Sequence, residues 1–322
     1  MIDDILYLNA SDIDDLDMSP ADLRSVLRRA FKAYASSDLR IPPKQTVRAA
    51  PDRYFQTMSA ACAEPPFAAV KWVSVVGANS QRGLPNVNGL IVLGDFDTGL
   101  PLAVVDASRL TVIRTAAMSA LASEYLASPR STSLGFIGCG AQAYGHLAAL
   151  RDALPGLTKI VCFDRRAESA IALAERATAQ GASGQSTDNA DDVLQCDVIV
   201  STVPTVVGMQ PFLDARKLNP GSLAIAIDMG RSWLPESFSG FSSFVVDDRA
   251  QAEDPDTRSK LAYSGPFNAD LAELASGDFA GRDNASDRVL FIYPGFALAD
   301  LAVASELYNR AIRANIGTRM PR

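Results

Sequence analysis

The stretch Leu134-Gly-Phe-Ile-Gly138-Cys-Gly140-Ala-Gln142-Ala-Tyr144 decides the fold. The apolar run Leu134 to Ile137 leads into Gly138-x-Gly140-x-x-Ala143, and a helical stretch follows. That spacing is the phosphate-cradling turn of a dinucleotide-binding βαβ unit. Gly138 permits the tight turn, Gly140 lets backbone approach a pyrophosphate, and Ala143 lets helix and strand pack closely. The helix N-terminus then faces the negative charge. The next apolar run, Lys159-Ile-Val-Cys-Phe-Asp164, ends in an acid. It falls about 20 residues on, where such folds hold the adenosine ribose.

Working outward, a strand–helix alternation starts at Ser133. Strands end near Ile137, Asp164, Thr202, Asp228 and Asp247, with helical stretches at Gln142–Leu154, Ala167–Gln180 and Asp188–Leu194. This order predicts an α/β fold with a doubly wound parallel sheet, of the Rossmann kind. An α+β domain precedes it. Ser19 and Pro20 open a helix over Ser19–Ser36. From Arg48 to Asp106 the pattern turns to strands, including Ala68-Ala-Val-Lys-Trp-Val-Ser-Val, Gly89-Leu-Ile-Val-Leu and Pro101-Leu-Ala-Val-Val. Asp95-Phe-Asp-Thr-Gly99 is a hairpin turn between the last two. Thr111–Ala127 is an Ala-rich helix, broken at Ser128-Pro129, and Gly295–Gly317 is a closing helix. The expected division is 1–127 plus 300–322 for the first domain and 128–299 for the nucleotide domain.

A chain of 322 residues can bury two cores. Its net charge of −7, with no basic run, argues against nucleic acid and against an anionic membrane surface as partners. No apolar stretch has the ~20 residues of a bilayer span, and the start Met-Ile-Asp-Asp-Ile is acidic where a signal peptide would be basic. Cys62, Cys139, Cys162 and Cys196 form no Cys-x-x-Cys pair, so they read as buried reduced thiols of a cytoplasmic protein. With His146 as the one histidine, a histidine-based zinc site is not expected. His146 falls on the helix after the glycine turn, which suits packing better than general base work.

Three cations stand out in the first domain. Arg48 follows Pro42-Pro-Lys-Gln-Thr-Val47, Lys71 sits in the apolar strand Ala-Val-Lys-Trp-Val, and Arg114 sits in the uncharged helical run Leu-Thr-Val-Ile-Arg-Thr-Ala-Ala. Cations in apolar elements are costly unless something anionic meets them. Together they would bind a substrate carboxylate, since guanidinium forks grip carboxylates bidentately. The other reading pairs them separately with local acids such as Asp95, Asp97 or Asp106.

Four segments carry a family resemblance. They are Arg82-Gly-Leu-Pro85, Gly99-Leu-Pro-Leu-Ala-Val-Val-Asp106, Leu110-Thr-Val-Ile-Arg-Thr-Ala-Ala117 and Ile137-Gly-Cys-Gly-Ala-Gln142. In them the chain closely resembles the ornithine cyclodeaminase/mu-crystallin family, from about Arg48 to the C-terminal helix. The resemblance implies a Rossmann domain plus an α+β substrate domain that joins a homodimer. It also implies a nicotinamide cofactor and amino-acid or cyclic-imine substrates. Arg48, Lys71 and Arg114 match the family's carboxylate-binding residues. Asn86, Ala141, Gln142, Asp164 and the turn Thr202-Val203-Pro204 match its cofactor contacts, with Arg114, Thr115, Gly138 and Gly140 beside them. The loop after Asp228 faces the nicotinamide in relatives. NAD is expected because an acid, Asp164, ends the strand; NADP is the alternative because Arg165 and Arg166 follow it.

The chain also departs from true ornithine cyclodeaminases. In Ala226-Ile-Asp228-Met-Gly230-Arg-Ser232, Gly230 stands where their catalytic aspartate would be. Asp228 is the acid left to take that role, or else a structural strand-end acid. Tyr293 stands where relatives place a serine. Pro235-Glu236 and Val245-Val-Asp-Asp248 resemble the siderophore-pathway dehydrogenases, which makes an opine-like substrate credible. The expected activity is oxidoreduction at a C–N bond, with Lys71 moving a proton. An ammonia-releasing cyclodeaminase using Asp228 and a cofactor-dependent binding protein are the rivals.

Overall fold

Ser19 accepts the Asp22 N–H at 3.1 Å while the Asp22 carboxylate accepts the Ser19 N–H at 3.2 Å, a reciprocal cap that fixes where the second helix begins. The computed structural model describes residues 4–37, 39, 41–204 and 208–322, with only the backbone of Ser80. Of the acidic N-terminal run, Met1 to Asp3 thus lie outside the described residues. The chain opens with β1 (Asp4–Leu8), α1 (Ala10–Asp15) and α2 (Pro20–Ala35). Helix α2 buries Leu23, Val26, Leu27, Ala30 and Phe31, one stripe at helical spacing. An antiparallel meander follows: β2 (Gln45–Ala50), β3 (Arg53–Ala63), β4 (Pro66–Val76), β5 (Val87–Asp95) and β6 (Pro101–Asp106). The β5–β6 turn forms because Asp95 accepts both the N–H and the hydroxyl of Thr98, at 2.8 and 2.6 Å, and Gly99 takes φ +71°. Asp106 accepts the Arg109 N–H at 2.7 Å and starts α3 (Ala107–Leu126).

From Ser133 the alternation is β7 (Ser133–Ile137), α4 (Ala141–Ala153), β8 (Lys159–Phe163), α5 (Ala167–Ala179), β9 (Ser183–Ser186), α6 (Ala190–Val193) and β10 (Val198–Ser201). Then come β11 (Leu223–Ala226), β12 (Ser243–Val246), α7 (Arg249–Glu253), α8 (Pro255–Arg258), β13 (Ala269–Asp270), α9 (Leu271–Ser276) and β14 (Val289–Ile292). These eight strands form one parallel sheet in the order β13-β12-β14-β11-β10-β7-β8-β9. Every residue of β10, β11 and β14 is buried, as a sheet covered on both faces requires. Strand order reverses between β7 and β10. Open α/β sheets of this Rossmann type take ligands at that switch point, outside the carboxyl ends of the strands. The helix read over Asp188–Leu194 shrinks to α6, because Asn189 caps it at the Asp191 N–H.

The chain ends with α10 (Ala297–Ala314) and β15 (Thr318–Pro321). Strand β15 pairs with β1, giving a seven-stranded sheet in the order β15-β1-β6-β5-β4-β3-β2. Two units result, Met1–Thr115 with Gly295–Arg322, and Ala116–Pro294, so the division falls inside α3. In the first unit, α10 covers the sheet face that carries Met58, Lys71 and Ile91. On the opposite face Val70, Trp72, Leu90 and Val92 are 39–47% exposed, and Phe55 stacks on Trp72 with ring centroids 5.9 Å apart. Among the described residues, no helix is long and apolar enough to cross a membrane.

Candidate functional site

In the first unit, β4 turns Lys71 inward, α3 supplies Arg114 and Thr111, and α10 supplies Asp300. Lys71 Nζ donates to Asp300 Oδ1 at 3.0 Å and to Thr111 Oγ at 2.6 Å, and Arg114 Nε donates to the same Oδ1 at 2.9 Å. Lys71 and Asp300 are each 2% exposed and Arg114 is 5% exposed. Burial pulls the Lys71 ammonium down to about 8; Asp300 holds it up and Arg114 pushes it down further. Burial opposes ionisation of Asp300, but Arg114 and Lys71 outweigh it and hold the carboxyl below the usual range. Gly295, at φ +94°, makes room beside Arg114, since a Cβ there would lie 3.3 Å from a guanidinium nitrogen.

Two of the three acids expected to neutralise these cations locally are engaged elsewhere, Asp95 with Thr98 and Asp106 with Arg109. The acid in the cluster is Asp300, which no motif announces. Its signal is a lone charge in the apolar helix run Ala297-Leu-Ala-Asp300-Leu-Ala-Val-Ala304, the same kind that marked Arg114. Arg48 lies on the Lys71 face by register, but it is exposed, with its guanidinium 6.0 Å from the Tyr54 ring centre. Among the described contacts none joins Arg48 to the cluster. Asn86 accepts the Val76 N–H through its backbone at 2.9 Å, and Thr115 is buried on α3.

In the second unit, the turn after β7 takes the shape its glycines permit. Gly138 has φ +87°, and a Cβ there would lie 3.0 Å from Thr202 Oγ. Gly140 starts α4 with no side-chain cap, and a Cβ there would meet nothing within 4 Å. The helix start at Ala141 and Gln142 therefore presents backbone amides to open space, which fits a pyrophosphate. Gln142 Oε1 is buried with no hydrogen-bond partner among the described residues. Asp164 is held at the end of β8 by the Cys139 N–H on Oδ2 at 2.8 Å and the Arg166 N–H on Oδ1 at 2.9 Å. Its remaining lone pairs suit a ribose diol. Arg165 beside it is exposed. Thr202 closes the turn by donating to the Gly138 carbonyl at 2.9 Å, Val203 packs on the buried core, and Pro204 is exposed. These residues fit a dinucleotide. Cys139, inside the turn, is buried; contact with Cys162 and burial push its thiol pKa far up, which disfavours the reactive thiolate.

Asp228 is buried at the end of β11. Its Oδ1 accepts Ser201 Oγ at 3.0 Å and the Gly230 N–H at 3.1 Å, and its Oδ2 accepts Ser232 Oγ. Burial pushes its pKa up to about 6 against the pull of those hydrogen bonds. Both oxygens are thus spent on the loop 229–232, where Met229 has φ +59° and Gly230 has φ +76°. His146 is fully buried, with Nδ1 2.7 Å from the Gln142 carbonyl and Nε2 2.8 Å from Ser119 Oγ. Ser119 Oγ is in turn 2.8 Å from Tyr293 Oη. Burial lowers the His146 pKa to about 4, so the ring is neutral. A carbonyl can only accept, so Nδ1 carries the proton. Ser119 then donates to Nε2, and Tyr293 donates to Ser119.

A family model described as "Ornithine cyclodeaminase/mu-crystallin family" matches residues 5–315. The chain belongs to this ornithine cyclodeaminase/mu-crystallin family. One family relative, an alanine dehydrogenase of Archaeoglobus fulgidus, is 30% identical, with 98% of each chain covered. A solved archaeal alanine dehydrogenase dimer with bound NAD superposes with a TM-score of 0.87 at 30% identity, covering 98% of this chain and 99% of that one. The Δ1-pyrroline-2-carboxylate reductase of Thermococcus litoralis, solved with NADH and L-proline, gives 0.88 at 25% identity, covering 98% and 100%.

Proposed function

We propose that this member of the family is an NAD-dependent oxidoreductase acting at the C–N bond of a small amino acid or its cyclic imine. The observation that carries the reading is the buried trio Lys71, Arg114 and Asp300, whose formal charges sum to +1. A buried site with surplus positive charge and a guanidinium suits one carboxylate. The unit Met1–Thr115 with Gly295–Arg322 is then the substrate and dimerisation part, and Ala116–Pro294 the dinucleotide part.

Arg114 binds the substrate carboxylate while its Nε stays anchored on Asp300. The Lys71 ammonium contacts the same carboxylate, and Arg48 adds charge from β2, two strands away on the same sheet face. Amine oxidation releases a proton from nitrogen as well as a hydride from carbon. In imine reduction the Lys71 ammonium, with its pKa near 8, is placed to give the nitrogen its proton; in amine oxidation the neutral Lys71 amine takes that proton and becomes the ammonium. The nicotinamide, when bound, supplies or accepts the hydride. Asp164, Gly140 and the start of α4 hold the dinucleotide. Asp164 at the ribose favours NAD over NADP. Asp228 shapes the loop 229–232. Both of its oxygens are engaged by Ser201, Gly230 and Ser232, which is the reason to prefer this reading over ammonia-releasing cyclodeaminase chemistry, which needs an acid free to act on substrate. The exposed face of Val70, Trp72, Leu90 and Val92 joins two copies into a dimer, as the archaeal alanine dehydrogenase is a dimer.

The test is absorbance of the reduced nicotinamide. Protein with NADH or NADPH is screened against Δ1-pyrroline-2-carboxylate and against pyruvate plus ammonia, with ammonia release from ornithine plus NAD assayed beside it. NADH oxidation by one of these, abolished in Lys71→Ala with dinucleotide binding intact, is expected. Ammonia release from ornithine without net absorbance change would overturn the reading, as would undiminished turnover in Lys71→Ala.

A further inference from the structure

We infer that Asp300 is the positioning residue of the amino-acid site: it anchors Lys71 and Arg114 on one oxygen and secures the Lys71 ammonium for the substrate carboxylate. The inference rests on the carboxylate-site reading above and extends it to a residue no motif marks.

Three observations carry it. First, Asp300 Oδ1 takes both cations, from different elements, at 3.0 and 2.9 Å. One side chain of α10 thus meets a cation from β4 and a cation from α3. Second, Asp300 Oδ2 is buried and has no hydrogen-bond partner among the described residues. A purely structural carboxylate is expected to spend both oxygens, as Asp228 does. Leaving a buried oxygen unmet costs free energy that a water or a ligand N–H recovers. Third, the charged groups acting on Lys71 are few. They are Asp300 from α10 and Arg114 from α3, while its cross-strand neighbours Met58 and Ile91 and the α3 hydroxyl of Thr111 carry no charge. Arg114 and burial both favour neutral Lys71, and Asp300 is the described charge that opposes them. Its charge thus decides whether the lysine is an ammonium near neutral pH.

The test measures binding of a non-reacting carboxylate, pyrrole-2-carboxylate, to the NAD-loaded protein by calorimetry from pH 5.5 to 9.5. The wild type should bind it, with affinity falling as pH passes the Lys71 pKa of about 8. In Asp300→Asn that break should move to lower pH by about one unit or more, the usual effect of losing an opposite charge at contact distance. In Asp300→Glu, which keeps the charge, it should stay near its original position even if affinity drops. The limb in the pH profile of turnover should move in parallel. A wild-type circular-dichroism spectrum and urea midpoint report that each variant is folded, NAD binding reports the dinucleotide unit, and Asp300→Ser replaces Asn if Asn fails these checks. A break that stays put without the carboxylate overturns the inference. A wild type that neither binds the probe nor turns over an amino acid or imine overturns the underlying carboxylate-site reading instead.

Discussion

Thr202 donates its hydroxyl to the carbonyl of Gly138 at 2.9 Å, which ties the end of β10 to the turn after β7. The contact is this close because Gly138 has no Cβ. An alanine there would have φ +87°, with its Cβ 3.0 Å from the Thr202 hydroxyl and 3.2 Å from the Thr202 backbone. Gly138→Ala should therefore cost stability, by about 1–2 kcal/mol from the left-handed backbone alone, and weaken NAD binding as well. Urea unfolding with and without NAD separates the two effects. Unchanged stability would show that the turn relaxes at no cost.

Gly140 makes the opposite prediction. Its φ of −86° suits any residue, and a Cβ would meet nothing within 4 Å. Gly140→Ala should leave the free protein within about 1 kcal/mol of the wild type, since the less flexible unfolded chain and the poorer N-cap of α4 offset each other. If that open space is where a pyrophosphate lies, NAD affinity should still fall tenfold or more, roughly the loss expected when backbone can no longer approach the phosphates. Titration of NAD by protein fluorescence decides it; undiminished affinity would move the pyrophosphate away from Gly140.

Trp72 and Leu90 are cross-strand partners on the uncovered sheet face, and Val70 and Val92 are another such pair. Four large apolar side chains in one patch of antiparallel sheet are more than a solvated face needs. Trp72→Lys places a charge in the middle of the proposed dimer interface without touching the covered face. Sedimentation velocity should show the wild type as a dimer and Trp72→Lys shifted to monomer, with each unit still folded by circular dichroism. A wild-type monomer at micromolar concentration would remove this surface from the dimer proposal.

The parts of the fold written in local sequence were readable. The glycine turn, the strand–helix alternation and the Asp95–Gly99 hairpin each depend on residues within a few positions of one another. Lys71 and Arg114 were also readable, because a cation in an apolar element signals a buried partner. The partner was not. Asp300 lies 229 residues from Lys71 and 186 from Arg114, so their meeting is set by the packing of α10 on the sheet rather than by spacing. The short strands β1, β13 and β15 were hidden for a similar reason. Strand β15 is exposed throughout and has no apolar alternation; its pairing with β1 makes it a strand. Asp228 was visible as a strand-end acid, but its three donors come from Ser201, Gly230 and Ser232, and only the fold shows that both oxygens are taken.

His146 and Asp228, two buried titratable groups of the nucleotide unit, should oppose each other in the pH dependence of stability. His146 has a folded pKa of about 4 against 6.5 unfolded. Between those values the unfolded state holds the extra proton, so this contribution is complete above 6.5 and is lost as pH falls toward 4. At about 1.4 kcal/mol per unit it amounts to roughly 3 kcal/mol. Asp228 has a folded pKa of about 6 against 3.8 unfolded. Here the folded state holds the extra proton, so the contribution is complete below 3.8 and is lost as pH rises through 6, again roughly 3 kcal/mol. From pH 4 to 6 the two slopes nearly cancel. Each variant should expose the other group: in Asp228→Asn, stability should climb steeply from pH 4.5 to 6, and in His146→Gln it should fall over the same interval relative to the wild type. Both substitutions also carry a pH-independent cost from disturbed hydrogen bonds, so the slope and not the offset is the readout. Urea unfolding of the three proteins at pH 4.5, 5.2 and 6.0 measures it, and parallel curves would mean that neither group changes its proton affinity on folding.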